Sequence, residues 1–393
     1  MAGADPGAGT GRIRGPCLSG DALRTQDCEC RGRAGPAAHA PGGGGSGRGS
    51  GGRCPQERPP VKFGIVPTEG GYRLAESLEE VLLAEELGFD SAWLSEHHGV
   101  RDHYWGTPLL GLAAYATRTS RITIGSNVII LPLHHPVRVA EEAVLLDTLS
   151  GGRFILGVGM GYREDEFRMF GVDHRTKGGR YEEALQILRR LLDGERVDFA
   201  GRFFRVSGVA LEPRPARRIP LWAGGWGVQN LRRAATFADA WLPGPTADLD
   251  RLLACQELYR QWRQWVGKPQ PEARPLTREL IIAPTEAAAR EAAARYLLAN
   301  YRDEYAGGWG HPLFSDDPDR AADLDRIGAD RFLVGSPESV VKGIRRFAAV
   351  FGADEIIFRL YARGTPHDFI MDELRLLARE VLPAFPRGDG VRA

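Results

Sequence analysis

From Val61 onward the chain alternates short apolar runs with stretches of helical period, and it does so eight times. The apolar runs are KFGIV (62–66), SAWLSE (91–96), RITIGSNVIIL (121–131), RFILGVG (153–159), IPLWAGG (219–225), DAWLPG (239–244), TRELIIA (277–283) and DEIIFRL (354–360). Between them lie helical patterns such as 74–89, 107–119, 135–150, 178–194, 227–238, 249–267, 284–305 and 336–352, and a last one follows over 371–383. The runs are apolar throughout rather than on every second residue, which marks strands buried on both faces of a parallel sheet. A strand–helix unit repeated eight times predicts a (β/α)8 TIM barrel with insertion regions. One insertion is a hairpin around Gly201, within 196–206. Gly88 stands where a helix stops, and Pro136 where one starts. The runner-up, a doubly wound open sheet, lacks a G-x-G-x-x-G opening into a helix after the first strand.

Residues 1–60 follow another rule. They are rich in Gly, Arg and Pro and poor in large apolar residues, so they bury too little surface to offset the entropy of ordering. The expectation is a disordered tail over 1–60 and one barrel domain over 61–393. Four of the five cysteines fall in that tail, which argues against a disulfide framework and for a reducing cytoplasm. Cys28, Cys30 and Cys54 match no strong zinc spacing. Lys+Arg and Asp+Glu both total 51, so no charge excess points to nucleic acid or to an anionic membrane. No apolar run is long enough to span a bilayer.

Chemistry in such barrels gathers at the C-terminal ends of the strands. There the chain places Glu96, His97 and His98 after the second strand, and Ser126, Asn127 and Val128 in the third. Gly157, Gly159, Met160, Gly161 and Tyr162 follow the fourth; Gly224, Gly225, Trp226 and Gly227 follow the fifth; Arg359 ends the eighth. Strand alternation puts His97 on the face of Trp93 and Ser95, and Glu96 on the face of His98. One imidazole can therefore face the cavity while the other packs outside it. The glycines bare main chain on which a planar ligand or a phosphate can rest. In AGGWGVQN a helix opens at once, so its first N–H groups suit a phosphate. VGSPES (334–339) is a second candidate of that kind. His134 and His135 read as a structural turn ahead of Pro136.

On these stretches the chain resembles the bacterial-luciferase-like flavin oxidoreductases. The matching segments are GFDSAWLSEHH (88–98), the long run 124–171, PLWAGG (220–225), VGSPESV (334–340) and FRLYARGTPH (358–367). The resemblance implies a luciferase-like (β/α)8 barrel with an insertion near 301–331. It implies His97 as catalytic acid/base, and a non-prolyl cis peptide at Asn127–Val128 against the flavin ring. Glu96, Gly159, Met160, Gly161, Tyr162, Gly224, Gly225, Trp226 and Gly227 would form the cofactor site. Two departures stand out. Met160 replaces an arginine that binds phosphate in the luciferase branch, and Gly225-Trp226 replaces a Glu-Ser pair. The phosphate contact would then rest on backbone amides, helped by Arg163.

What the resemblance implies for function is a two-component monooxygenase. Reduced FMN would come from a separate flavin reductase, O2 would be the co-substrate, and a small organic molecule the substrate, in a cytoplasmic homodimer. Tyr104 and Trp105 would wall the substrate side. Arg359 would either orient an anionic substrate or pair with Glu355 or Asp354. The alternative within the family is hydride transfer by coenzyme F420. An alternative of another class is a metal-dependent barrel hydrolase with Glu96 and His97 or His98 on the ion.

Overall fold

The computed structural model describes residues 60–71, 73–101, 104–302 and 323–386. The tail expected over 1–60 lies outside them except for its last residue, as does much of the insertion expected near 301–331. In chain order the strands are β1 (Lys62–Val66), β2 (Ser91–Leu94), β3 (Thr123–Ser126), β4 (Ile129–Ile130), β5 (Phe154–Gly159), β6 (Val197–Ala200), β7 (Arg205–Val209), β8 (Leu221–Gly224), β9 (Ala240–Leu242), β10 (Pro275–Ile282), β11 (Leu333–Gly335) and β12 (Glu355–Arg359). The helices are α1 (Leu74–Leu87), α2 (Pro108–Arg118), α3 (Pro136–Leu149), α4 (Glu164–Met169), α5 (Lys177–Leu192), α6 (Val228–Phe237), α7 (Leu249–Trp265), α8 (Glu286–Ala292), α9 (Leu324–Gly328), α10 (Pro337–Val350) and α11 (His367–Leu376).

Nine strands form one curled parallel sheet in the order β11-β10-β12-β1-β2-β3-β5-β8-β9, with β4 alongside β5. Strands β6 and β7 form the separate antiparallel hairpin that the pattern around Gly201 suggests. The described hydrogen bonds leave the path open between β9 and β10, although the two strands approach within 8 Å Cα to Cα. The sheet is thus a half-barrel by its ladders. Helices cover the outer face, as continuous apolar strands require.

Local signals placed several boundaries. Gly88, at φ +84°, ends α1 in the left-handed conformation a helix stop demands. Pro136 opens α3 at its first turn. Other elements departed from the pattern. The third apolar run, expected as one strand over 121–131, is broken into β3 and β4 at Asn127–Val128, a cis peptide. Strand β11 is three residues long, too short for its apolar signal to stand out from the polar stretch before it. The helix expected over 284–305 is regular only to Ala292 and then widens into a π-type turn over Ala293–Leu298.

The inner face of the sheet is layered. Near the N-terminal ends Glu355 accepts from Ser91 Oγ at 2.5 Å, and Trp93 Nε1 donates to the same hydroxyl at 2.7 Å. Above them Trp93 stacks on Trp222 with centroids 5.1 Å apart, and Val66 and Ile357 fill the rest. This apolar plug floors whatever stands at the C-terminal ends. Two residues further along their strands come Ser95 after Trp93, and Arg359 after Ile357.

Candidate active site at the strand ends

The stretch SEHHG divides as the strand alternation requires. His97 Nδ1 lies 2.8 Å from Glu166 Oε1, on α4. Its ring meets Tyr104 edge-on at 4.5 Å and Tyr162 at 5.7 Å. His98 turns the other way: its Nε2 donates to Glu96 Oε1 at 3.0 Å, and its ring packs on Phe170. His134 Nε2 reaches the same Glu96 oxygen at 2.7 Å, while Glu96 Oε2 accepts from the Ile130 N–H at 2.5 Å. Glu96 is therefore a hub that ties the end of β2 to β4 just beyond the cis peptide.

Burial alone would push the Glu96 carboxyl up. The hydrogen bonds and charge of His134, the His98 bond and the Ile130 N–H outweigh it and hold the group near about 2. Glu166 behaves alike. Burial raises it, but His97, the His98 N–H and Arg163 together keep it below the usual carboxylate range. An ionised Glu166 accepts the Nδ1 proton of His97, and the favoured tautomer then carries its lone pair on Nε2.

The donor atoms of Glu96, His98 and His134 lie within 4.8 Å of one another, close enough for one metal ion. Both imidazoles, however, aim the same nitrogen at one carboxylate oxygen at hydrogen-bond distance. The group reads as a hydrogen-bonded clasp. It also parts His97 from the hydrolase reading, because that ring serves Glu166 instead.

The remaining expected site residues divide too. Asn127 Nδ2 donates to Thr277 Oγ1 of β10 at 2.8 Å across the inner face. Val128 stands against Gly159 and Gly224: a Cβ on Gly159 would lie 2.5 Å from Val128 Cγ2, and one on Gly224 3.4 Å from Val128 Cγ1. The bareness of Gly159 thus accommodates Val128 rather than a ligand directly. Gly161 is filled likewise, by Ile130 and Phe167. Met160 packs against the core. At Gly225 the missing Cβ space belongs to Asn230, and the Gly225 carbonyl accepts from Trp241 Nε1. Trp226 meets Trp241 edge-on. Gly227, at φ +84° and at the N-cap of α6, has nothing within 4 Å of its Cβ position. Among the expected site glycines only Gly227 has that space open, and Gly244 on the loop after β9 shares it.

Four expectations need correction. Arg163 does not stand ready for a phosphate; its Nη1 donates to the His98 carbonyl at 2.9 Å and to Glu166 at 3.2 Å. The VGSPES turn already holds an anion of its own, since Glu286 Oε2 accepts from Ser336 N at 3.1 Å and from Ser339 Oγ at 2.9 Å. Trp105 does not wall the site with Tyr104; its ring packs over Gly111 of α2, against the outer core. Arg359 pairs with neither Glu355 nor Asp354. Its described carboxylate partners are Glu69 at 3.5 Å and Glu279 at 3.7 Å. Those two carboxylates, with Glu166, escaped the sequence reading. Glu69 follows the first strand by three residues, and Glu80 anchors that loop by accepting from Thr68 N and Oγ1. A glutamate inside the apolar run TRELIIA was the readable signal for Glu279, because parallel strands seldom carry one without a task.

Among the described residues no helix is long and apolar enough to cross a membrane. A sequence model of the family described as luciferase-like monooxygenase matches residues 60–355. Limonene 1,2-monooxygenase of Rhodococcus erythropolis is 30% identical over 81% of this chain and 83% of its own. The oxygenating constituent of 3,6-diketocamphane monooxygenase from Pseudomonas putida, a type II Baeyer–Villiger enzyme solved with FMN, superposes with a TM-score of 0.66 at 22% identity, over 83% of this chain and 98% of that one. An F420-dependent secondary alcohol dehydrogenase, solved with an F420–acetone adduct, does so with a TM-score of 0.68 at 19% identity, over 83% and 99%.

Proposed function

The chain belongs to the luciferase-like monooxygenase family and is an oxidoreductase, and from that premise we propose a two-component monooxygenase that uses reduced FMN from a separate reductase, O2 and a small organic substrate. The observation that carries this reading is the 2.8 Å contact between His97 Nδ1 and the buried Glu166 carboxylate at the rim. A carboxylate that fixes one ring nitrogen leaves the other with a defined role, and imidazole exchanges protons near neutral pH. The rings of Tyr104 and Tyr162 meet His97 edge-on and restrict its turning. His97 Nε2 is then the atom that takes up or returns the proton of the reaction.

The residues present fit a flavin. Val128, partly buried between Gly159 and Gly224, gives an apolar face for a planar ring. The Gly227 backbone bonds the Cys255 thiol, so the next amides of the first turn of α6 are the ones that would meet the phosphate, in keeping with Met160 where the luciferase branch has arginine. Reduced FMN supplies the electrons for O2; the protein holds the ring, keeps water out and handles the proton. Closure of the sheet into a full barrel between β9 and β10 belongs to the same proposal, supported by Arg278 of β10, which donates to the Pro245 carbonyl beyond β9 at 3.2 Å. Titration of the protein with reduced FMN and with reduced F420 tests the reading. Tight binding of reduced FMN is expected. A clear preference for F420 would replace oxygenation by hydride transfer.

A further inference from the structure

The clasp on the outer side of β2 takes no part in the chemistry proposed for His97, yet it is made of side chains that hold transition metals. Glu96 and His98 stand two residues apart at the strand end, so they share a face. His134 joins them from the turn ahead of α3. Glu96 is buried, but 30% of the His134 side chain is exposed. Phe170, itself 44% exposed, meets both imidazoles edge-on at 4.5 and 6.3 Å. The group therefore borders solvent, and an ion reaches it past His134 and Phe170.

The arrangement has a feature that hydrogen bonding alone does not demand. A carboxylate has two oxygens with room for several donors, and two imidazoles could take one oxygen each. Here Oε2 accepts from the Ile130 N–H at 2.5 Å, and both Nε2 atoms converge on Oε1, at 3.0 Å from His98 and 2.7 Å from His134. All three ligand atoms lie within 4.8 Å of one another. A tetrahedral ion with bonds of about 2.0–2.1 Å holds its ligand atoms roughly 3.3 Å apart. The two short contacts then open by a few tenths of an ångström. Each ring carries its proton on Nδ1 and turns the Nε2 lone pair toward the ion. Two imidazoles and one carboxylate suit zinc and its neighbours in the transition series, whereas magnesium and calcium ask for more oxygen ligands.

We propose that Glu96 Oε1, His98 Nε2 and His134 Nε2 form a site for zinc or a similar divalent ion, with the fourth position left to water, and that the bound ion fastens the end of β2 to the turn ahead of α3. The site lies on the side of β2 away from His97, whose ring is held by Glu166. It does not depend on the flavin reading.

The test uses the full chain with Cys17→Ser, Cys28→Ser, Cys30→Ser and Cys54→Ser, so that these thiols do not compete, after removal of metal with EDTA. Cobalt(II) is the probe, because a tetrahedral site gives it a strong visible absorption that the hydrated ion lacks. One equivalent should bind and be displaced by zinc. Zinc at about 100 µM should raise the melting temperature by at least about 3 °C. His98→Ala and His134→Ala, checked for fold by circular dichroism, should each weaken cobalt binding at least about 100-fold. His135→Ala removes a neighbouring ring that packs on Phe204 instead, and should leave cobalt binding unaltered. Glu96→Gln keeps an oxygen for both rings and the Ile130 N–H but loses the charge, and should weaken binding about tenfold or more. If the alanine variants do not fold, that loss in Glu96→Gln decides. Absence of cobalt binding at about 100 µM, binding that survives these substitutions, or binding without thermal stabilisation overturns the inference.

Discussion

Two carboxylate–imidazole groups grow from the same five residues, one on each side of the end of β2. Outside, Glu96 collects His98, His134 and the Ile130 N–H, and its bonds join β2, β4 and the turn before α3. Inside, Glu166 holds one nitrogen of His97 between two tyrosines. The chemistry of the groups is the same; their connections differ. A carboxylate that accepts several donors from separate elements is a fastening, and its loss is felt in stability. Glu166 also accepts from the His98 N–H and from Arg163, but on the proposed reading its bond to the His97 ring prepares a reactive atom at the rim, and its loss is felt in turnover as well as in stability.

The difference can be broken by substitution. His97→Ala should lower turnover by roughly 10²- to 10⁴-fold, the usual contribution of a positioned acid or base, with reduced-FMN affinity little altered. An unchanged rate would take His97 out of the mechanism. Glu96→Ala should act on the other quantity: it strands a buried N–H and two imidazoles, for a loss of about 3 kcal/mol in urea unfolding. Were turnover per folded molecule to fall as steeply as in the His97 variant, the division between fastening and catalysis would be wrong. Glu166→Gln should cost roughly 10- to 100-fold in turnover, less than loss of the ring itself, because it loosens the constraint on the tautomer and the charge pairing with Arg163 while an amide oxygen can still accept from the His98 N–H.

Proton linkage sharpens the contrast between outer clasp and inner cluster. The folded state holds Glu96 near about 2, below its ordinary 4.5. Its stabilisation is complete above 4.5 and is lost as pH falls from there toward 2. Glu69 is raised to about 7 from 4.5, so its contribution is complete below 4.5 and is lost as pH rises through 7. Glu355, also raised to about 7 by burial, adds to the same alkaline decline. Melting temperature followed from pH 3 to pH 8 should therefore fall at both ends, and Glu69→Gln should flatten part of the upper decline. An identical upper slope in that variant would show that Glu69 titrates normally. The smallest effect is expected at the open rim: Gly227→Ala, at φ +84°, should cost about 1 kcal/mol in stability.

Much of the architecture was legible because it depends on short-range rules. Eight apolar runs separated by helical periods, a glycine at the end of α1 and a proline at the start of α3 each act within a few residues. So does the alternation that parts His97 from His98. What eluded reading depends on contacts across long gaps. Glu69 and Arg359 are 290 positions apart, and His97 and Glu166 are 69 apart. A charged residue in a loop looks the same whether it ends in solvent or beneath a tyrosine. The glycines misled for the converse reason: Gly159 and Gly161 are bare because Val128, Ile130 and Phe167 need their space, and those neighbours come from other elements.

The amino-acid sequence by itself determined the strand–helix order, the rim on which the polar residues gather and the opposite facing of the paired histidines, since each follows from backbone period. Only the tertiary structure decided which carboxylate each histidine meets, which glycines remain open and what charge surrounds Arg359. Those outcomes depend on side chains brought together by the curl of the sheet, and local sequence carries no record of that distance.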